Sequence, residues 1–242
     1  MSLSWTRIGA ILRKELRDYR RNRFVVATMA ATPLLFIALP TIQLIAANAT
    51  GKAVTLRVGL SLLYMLILPA IIPSVLSAYS VVGEREQGTL EPVLTTPIHS
   101  EEFLVGKALA ALLPTLAVAY VIFGIFLGAV AAFAHHAVVS AIFERNHLLV
   151  QLLFTPLVAG WSIWAGIAIS TRMSDVRAAQ QLAVLASLPP VAIVALMNFN
   201  VIAASLGLAL GLAGALLFID LMAWRLVAAM FDRERLVTGT RS

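Results

Sequence analysis

Six long apolar stretches constrain the fold of this chain more than any other feature of its sequence. A helix needs about 20 predominantly apolar residues to cross the hydrocarbon core of a bilayer. The candidate stretches occupy approximately residues 24–47, 58–82, 103–134, 148–170, 178–197 and 201–225. The composition agrees, because 60% of the 242 residues are hydrophobic and only 12% are charged. A water-soluble domain has a charged fraction of about 25%.

These stretches predict an all-α polytopic membrane protein with about six transmembrane helices and a single transmembrane domain over residues 1–242. No stretch alternates apolar and polar residues as the strands of a β-barrel do, and a helix satisfies its own backbone in lipid. The third stretch is too long for one crossing, so we expect it to begin as an interfacial helix and to enter the bilayer near Pro114. The fifth is short and contains Pro189-Pro190, which predicts a broken or re-entrant helix.

The distribution of basic residues predicts the orientation. With both termini in the cytoplasm, fifteen of the 18 Lys and Arg residues lie on the inner side, and only Lys52, Arg57 and Arg145 lie outside. Such a bias favours an even number of crossings. The N-terminus lacks the short apolar core and cleavage site of a signal peptide, so we expect a resident plasma (inner) membrane protein. The net charge of +6 follows from this bias, and we expect no nucleic-acid partner.

The N-terminal segment, residues 1–23, predicts a basic amphipathic helix that lies in the headgroup plane. Its apolar side chains recur at steps of three and four: Trp5, Ile8, Leu12, Leu16 and Tyr19. Arg17 belongs to the basic residues that lie largely elsewhere on the helix, toward anionic lipid. Trp5 and Arg17 are therefore candidate membrane-interface residues. A solvated basic tail is the alternative.

The inner loop between the second and third stretches is unusually acidic. It holds five of the twelve acidic residues: Glu84, Glu86, Glu91, Glu101 and Glu102. An acidic cluster on the basic side of the membrane favours contact with protein over contact with lipid headgroups. Gly88 allows a sharp turn, and Thr89 is a suitable cap for a short helix that Pro97 would end. We therefore expect a short cytoplasmic helix, with an ordinary connecting loop as the alternative.

The residues of this loop resemble a known family. The run Glu84-Arg85-Glu86-Gln87-Gly88-Thr89-Leu90-Glu91, followed by Pro97 and Gly106-Lys107, is similar to the permease subunits of type-2 ATP-binding-cassette (ABC) exporters. In that family this loop is a coupling helix that docks into a groove of the ATPase subunit. The resemblance implies a coupling segment over 83–102 and a cytoplasmic tail over 226–242, with Lys107 at the membrane interface. It implies that seven residues form or brace the contact: Glu84, Arg85, Glu86, Gly88, Thr89, Leu90 and Glu91.

The resemblance also implies the partners. Two permease chains, identical or paralogous, would face each other and bind two cytoplasmic ATPase subunits, which would carry ATP and Mg. This chain would bind no cofactor and would not be an enzyme. The sequence agrees, because Gly51-Lys52 and Gly106-Lys107 lack the upstream glycine and the following Ser or Thr of a P-loop. Many members carry two re-entrant helices between spans five and six. Here only residues 197–200 and the break at the proline pair could supply a truncated version.

Two other functions remain open from the sequence. The chain could be a membrane scaffold or assembly factor whose acidic loop recruits a cytoplasmic partner. It could also be an ion-coupled carrier, although such carriers keep a charged residue near the midplane. Asp220 is the nearest carboxylate, and the sequence places it toward the inner end of the sixth span, close to Arg225. Neutral polar residues within the spans favour an amphipathic cargo: Gln43, Ser61, Ser77, Thr155 and Ser205.

Two weaker patterns complete the sequence analysis. His135, His136, Glu144 and His147 share an outer loop, and Glu144 and His147 have a spacing that could place two metal ligands on one helix face. A solvated loop without a metal is the preferred interpretation. Glycines four residues apart predict close helix approach within or between subunits: Gly124 with Gly128, and Gly207 with Gly211.

Overall fold

The computed structural model describes residues 4–46, 52–86, 88, 99–199 and 206–230. These residues form eight helices and no strand. The helices are α1 (Trp5–Arg21), α2 (Arg23–Ile45), α3 (Lys52–Glu86), α4 (Ser100–Phe133), α5 (His136–Ile142), α6 (Arg145–Arg172), α7 (Val176–Asn198) and α8 (Leu206–Met230).

Six of these helices are long and apolar enough to cross a membrane: α2, α3, α4, α6, α7 and α8. The predicted all-α class and the predicted count of six spans are confirmed. Helix α8 continues to Met230, so the first residues of the expected tail over 226–242 are helical, and residues 231–242 lie outside the described residues. The expected coupling helix falls mostly on residues 89–98, which lie outside the described residues.

Helix α3 forms the centre of the bundle. In its most apolar window 67% of the residues are buried, against 18% in α2 and 17% in α8. It packs against α2, α4, α6 and α7. Glycines permit its closest crossings: a Cβ on Gly166 of α6 would overlap Ser77 Oγ of α3, and a Cβ on Gly59 of α3 would lie 2.8 Å from the carbonyl oxygen of Asn198 in α7. Every other span except α8 therefore packs around one buried helix.

The four glycines whose spacing would allow close helix approach make no close contact between helices in the described part of the chain. A Cβ on Gly124, Gly128, Gly207 or Gly211 would meet no described atom within 4 Å. A spacing of four is common in any apolar helix and does not identify the face that packs, and close approach between subunits stays a prediction.

The fifth span is not broken, contrary to the sequence prediction. Helix α7 runs without interruption through Pro189 and Pro190. A proline at position 190 leaves the carbonyl of Ala186 without its helical N–H partner. Trp161 of α6 replaces that partner, since its Nε1–H donates to the Ala186 oxygen at 2.8 Å. A side chain of a neighbouring helix thus satisfies the carbonyl group that Pro190 leaves without a partner. Because α7 is continuous here, the proline pair does not form a truncated re-entrant element.

In helix α6 a side chain from another helix likewise replaces a backbone donor that a proline lacks. Pro156 deprives Leu152 of its helical partner, and the hydroxyl of Tyr120 in α4 donates to the Leu152 oxygen at 3.1 Å. The third span, α4, is one continuous helix of 34 residues that passes through Pro114, and its entry into the bilayer near that residue stays a prediction. Prolines within spans are tolerated where neighbouring groups satisfy the freed backbone.

Candidate functional site

Lys107 lies at the centre of a buried polar cluster where α1, α3 and α4 meet. Its Nζ forms ion pairs with Glu15 Oε1 of α1 and Glu84 Oε2 of α3, both at 3.1 Å. It also donates to the Ser80 carbonyl oxygen at 2.9 Å, and it lies 4.9 Å from the centroid of the Phe103 ring. Only 1% of the Lys107 side chain is exposed. A buried ammonium group is stable only with such a complete set of partners.

Lys14 extends this cluster to the surface of α1. Its Nζ donates to Glu84 Oε1 at 2.6 Å and to Glu15 Oε1 at 3.1 Å, and it lies 3.7 Å from Asp18 Oδ2. The Lys14 side chain is 46% exposed, so solvent screens these contacts more than those of the buried lysine. Each glutamate of the cluster is therefore shared between two lysines. We call these five side chains the α1 clamp: Lys14, Glu15, Asp18, Glu84 and Lys107.

The charges of the α1 clamp shift the pKa values of the groups on α1. Burial alone would raise the pKa of Glu15, but Lys107 and Lys14 hold this pKa below its ordinary value of 4.5. Burial alone would lower the pKa of Lys14, but the adjacent carboxylates raise it above its ordinary range. Burial and the same carboxylates raise the pKa of Tyr19. All members of the clamp except Lys107 line a cavity of about 460 Å³, together with Tyr19, whose hydroxyl has no hydrogen-bond partner among the described residues.

The packing of α1 on α4 brings these charges together. A Cβ on Gly106 would lie only 2.7 Å from Ile11 Cγ2, so the missing side chain lets the two helices approach closely. Near the start of both helices, Glu102 accepts hydrogen bonds from the Ser4 backbone N–H at 2.8 Å and from Arg7 Nη1 at 3.2 Å. The Gly106-Lys107 pair therefore has a local structural role. Gly106 allows α1 and α4 to pack closely, and Lys107 forms the ion pairs of the α1 clamp.

Glu86 connects the same region to α7. Its Oε1 accepts a hydrogen bond from the Val176 backbone N–H at 3.3 Å, at the first residue of α7. Asp175 caps that helix, because its Oδ1 accepts from the Ala178 N–H at 2.7 Å. Ser170 of α6 also contacts α3, with its Oγ 3.1 Å from the Val81 nitrogen. The end of α3 that precedes the acidic loop is thus bonded to α1, α4, α6 and α7.

The structure locates some of the residues that the family resemblance singled out. Gly88 has φ of +66°, the left-handed conformation that favours glycine, and a turn at this residue was predicted. Glu84 is only 8% exposed, whereas Glu86 is exposed. Arg85 lies in the last turn of α3. Thr89, Leu90 and Glu91 lie outside the described residues. None of these positions tests a contact with another protein, so the coupling role remains a prediction.

The predicted apolar face of α1 is only partly found. Ile8 and Tyr19 are buried, and Leu12 and Leu16 are half-buried, but Trp5 is 72% exposed. The most buried positions also include a charged residue, since Glu15 points into the α1 clamp. Arg17 is exposed. Trp5 and Arg17 are therefore both on the free surface of α1, where a membrane contact remains a prediction.

Three of the neutral polar residues proposed to favour an amphipathic cargo are hydrogen-bonded within their own helices. Ser61, Ser77 and Thr155 are buried, and each hydroxyl donates to the carbonyl four residues earlier in its own helix. A hydroxyl that is bonded in this way has no donor left for a ligand. Gln43 is exposed, and Ser205 lies outside the described residues. The inference of an amphipathic cargo therefore loses this support.

Asp220 differs most from its expected environment. It is 9% exposed and faces α6, where its Oδ2 lies 2.7 Å from the position of a Cβ on Gly160. Its Oδ1 has no hydrogen-bond partner among the residues that the structure describes. Arg225, the expected neighbour, lies instead with its guanidinium 5.6 Å from the Trp224 ring centroid. The sequence placed Asp220 close to Arg225, but residues five apart lie on different sides of a helix, and no ion pair joins the two side chains.

The histidine-containing segment does not form a metal site within the described residues. No group of three His, Asp or Glu side chains there is arranged to hold a metal ion. His147 is 7% exposed and lies within α6, with Nδ1 3.0 Å from the Ala141 carbonyl oxygen of α5. His147 is therefore part of the packing between α5 and α6 rather than of a solvated loop.

Six apolar spans and an N-terminal helix packed onto them define an integral, multi-pass membrane protein. The chain matches the family model described as "ABC-2 family transporter protein" over residues 9–231. It therefore belongs to the ABC-2 family of transporter proteins, as the resemblance of its acidic loop suggested.

A curated relative agrees with this assignment over part of the chain. The sequence is 37% identical over 112 residues to a protein of Pseudomonas aeruginosa named "Probable ABC transporter permease protein NosY". The match covers 45% of this chain and 38% of the relative. The shared segment is thus less than half of either protein.

Proposed function

We propose that this chain is the membrane-spanning subunit of an ATP-driven exporter, with the ATP hydrolysed on a separate cytoplasmic ATPase subunit. Two permease chains would face each other in the plasma (inner) membrane, with both termini of each chain in the cytoplasm. Family membership and the absence of a P-loop in the sequence support this proposal. ATP and Mg would bind the partner, and this chain would bind no cofactor.

One observation carries the coupling part of the proposal. The residues that flank the loop over 87–98 are bonded to four helices of the bundle. Before the loop, Glu84 contacts Lys107 of α4 and Lys14 of α1, and Glu86 accepts from the first residue of α7. After the loop, Glu102 is bonded to Ser4 and Arg7 at the N-terminal end of α1. A displacement of this loop by an ATPase would therefore act directly on α1, α3, α4 and α7.

The burial of Glu84 divides the proposed contact residues into two groups. Glu84 braces the segment from inside, because its carboxylate is shared by two lysines. Glu86 is exposed, and with Arg85, Gly88, Thr89, Leu90 and Glu91 it would meet the ATPase. Replacing Glu84 would disturb the bundle as well as the docking, so Glu86 is the better residue for a test.

The experiment is a pull-down of the tagged chain from its native membranes in mild detergent, followed by mass spectrometry. We expect a near-stoichiometric P-loop ATPase, and we expect Glu86→Ala to reduce its recovery. Glu144→Ala is the matched control, because Glu144 is an exposed glutamate at the other end of the bundle and makes no capping hydrogen bond. Recovery of no ATPase with the unmodified chain would favour a scaffold or assembly factor instead.

An ion-coupled carrier is the second candidate, because Asp220 is a buried carboxylate within a span. A transport assay on the chain reconstituted with its ATPase distinguishes the exporter from the ion-coupled carrier. Uptake that requires ATP hydrolysis supports the exporter, whereas uptake that follows an ion gradient without ATP supports the carrier.

A further inference from the structure

Asp220 lies in a cavity within the membrane-spanning part of the bundle. The cavity has a volume of about 350 Å³ and lies between α4, α6 and α8. Two tryptophans, Trp164 and Trp224, form part of its wall. Leu217 and Leu221 of α8 also line it and are 47% and 54% exposed, so the cavity opens on the outer surface of the bundle.

Asp220 lies within the candidate membrane span Leu206–Ala228 of α8. It is eight residues before the end of that span, which is about 12 Å at a rise of about 1.5 Å per residue. Across the cavity it faces Gly160, which lies inside the candidate span Arg145–Arg172 of α6. The carboxylate therefore belongs to a candidate membrane-spanning helix rather than to a connecting loop.

No protein group in the described residues offsets the charge of Asp220. Its Oδ1 has no hydrogen-bond partner, and the nearby Arg225 is directed to the Trp224 ring. Removing a carboxylate from water without a partner is costly, and ionisable residues within membrane spans usually mark functional sites. The carboxylate is therefore available to a ligand that brings a positive charge into the cavity.

The composition of the cavity decides which cation fits. An inorganic cation requires several oxygen ligands, but among the described residues Asp220 is the only charged side chain that lines this cavity. An organic cation needs one counter-charge and apolar or aromatic contacts for its carbon groups. The aliphatic wall supplies the apolar contacts, and the two indole rings in the wall supply aromatic ones.

We propose that this cavity is a binding site for lipophilic organic cations that enter from the membrane, with Asp220 as the counter-charge and Trp164 and Trp224 as aromatic contacts. Binding itself does not require an ATPase. That the bound cation is the exported cargo rests on the function proposed above.

The test uses two probes of the same shape and opposite charge. The full chain is placed in nanodiscs of phosphatidylcholine, and equilibrium binding of tetraphenylphosphonium and of tetraphenylborate is measured against empty nanodiscs. We expect saturable binding of the phosphonium cation and none of the borate anion. Equal binding of both probes, or no saturable binding of the cation, would overturn the proposal.

Variants locate the site. Asp220→Asn keeps the shape of the side chain and removes the charge, so we expect it to weaken cation binding about tenfold or more. Glu144→Gln removes one negative charge from the opposite end of the bundle and should leave the affinity unchanged. Equal affinity in Asp220→Asn and the unmodified chain would refute the site.

A second replacement covers the case in which Asp220→Asn fails to fold. Trp164→Leu keeps the carboxylate and removes one aromatic contact, so it should weaken cation binding by a smaller factor, and unchanged binding would count against the site. Because these measurements contain no ATPase, failure of the coupling proposal would leave them unaffected. Binding without ATP-dependent export would support the site and reject the cargo assignment.

Discussion

Lys107 Nζ lies 3.1 Å from Glu84 Oε2, although the whole acidic loop separates the two residues in the sequence. This ion pair links the end of α3 to the first turns of α4, and Glu15 of α1 forms a second ion pair with the same lysine. The residues that resemble a family motif are thus explained in part by contacts within the chain itself, independently of any partner.

Removing the buried ammonium group should strongly destabilise the bundle. Lys107→Met leaves Glu15 and Glu84 buried with less compensation, which typically costs about 3–5 kcal/mol. Lys14→Met should cost about 1 kcal/mol or less, because solvent screens the half-exposed Lys14. Thermal unfolding of both variants in the same nanodiscs measures the difference. Equal destabilisation would show that burial does not control the strength of the clamp.

Acid should weaken the α1 clamp through Glu15. Its folded-state pKa lies below 4.5, so its ionised form stabilises the fold fully above that pH and loses this contribution as the pH falls from 4.5 toward the folded pKa. The melting temperature of the unmodified chain should therefore exceed that of Glu15→Gln at neutral pH, and the difference should shrink below about pH 4.5. A difference that stays constant from pH 7 to pH 3 would contradict this assignment.

The crossing of α1 and α4 should not tolerate a side chain at Gly106. Gly106→Val places carbon atoms against Ile11, and overpacking of this kind costs about 1–3 kcal/mol. Gly124→Val is the matched control in the same helix, because a Cβ there meets no atom within 4 Å. The chain has no cysteine, so a single cysteine at Ile8, which is 1% exposed while α1 is packed, can report release of α1 through its labelling rate. Faster labelling is expected in Gly106→Val only.

The indole of Trp161 should contribute its hydrogen bond to the stability of the bundle only while Pro190 is present. Trp161→Phe leaves the Ala186 oxygen without a donor and should cost about 1–2 kcal/mol. In Pro190→Ala the helix supplies its own N–H to Ala186, so the same indole replacement should then cost less. A double-mutant cycle of thermal unfolding measures this coupling, and strictly additive effects would argue against the proposed repair of the backbone.

The turn at Gly88 should be sensitive to a side chain. A φ of +66° is strained for a β-branched residue, so Gly88→Val should reduce the ATPase activity of the reconstituted complex more than Gln87→Val does. The unaltered melting temperature of both variants would confirm that the bundle is intact. Equal activities would remove the argument that this turn shapes the contact with the ATPase.

Local patterns in the sequence predicted the parts of the fold that depend on neighbouring residues. The six spans follow from runs of apolar residues, and the turn at Gly88 follows from the freedom of glycine. Long-range pairing was not predictable: nothing near Lys107 indicates that Glu15, 92 residues earlier, is its partner. For the same reason the proline pair predicted a break, since the donor that repairs it, Trp161, belongs to another helix.

The site was predicted less completely than the fold. The acidic loop stood out because its charge opposes the trend of the inner surface, but the sequence could not show that Glu84 is internal and Glu86 exposed. The burial of Asp220 against α6 was not predicted, because its position along a helix does not reveal which neighbouring helix it faces. The small residue opposite it, Gly160, is informative only once α6 and α8 are known to pack together.

The two backbone repairs also fit the order of chain synthesis. Tyr120 precedes Leu152 in the chain, and Trp161 precedes Ala186. A membrane protein that is made from its N-terminus would therefore have each donor in the bilayer before the helix that needs it arrives. The carbonyl groups of Leu152 and Ala186 would therefore find their donors as soon as their own helices enter the bilayer. The arrangement of prolines and aromatic residues is thus compatible with insertion of one helix at a time.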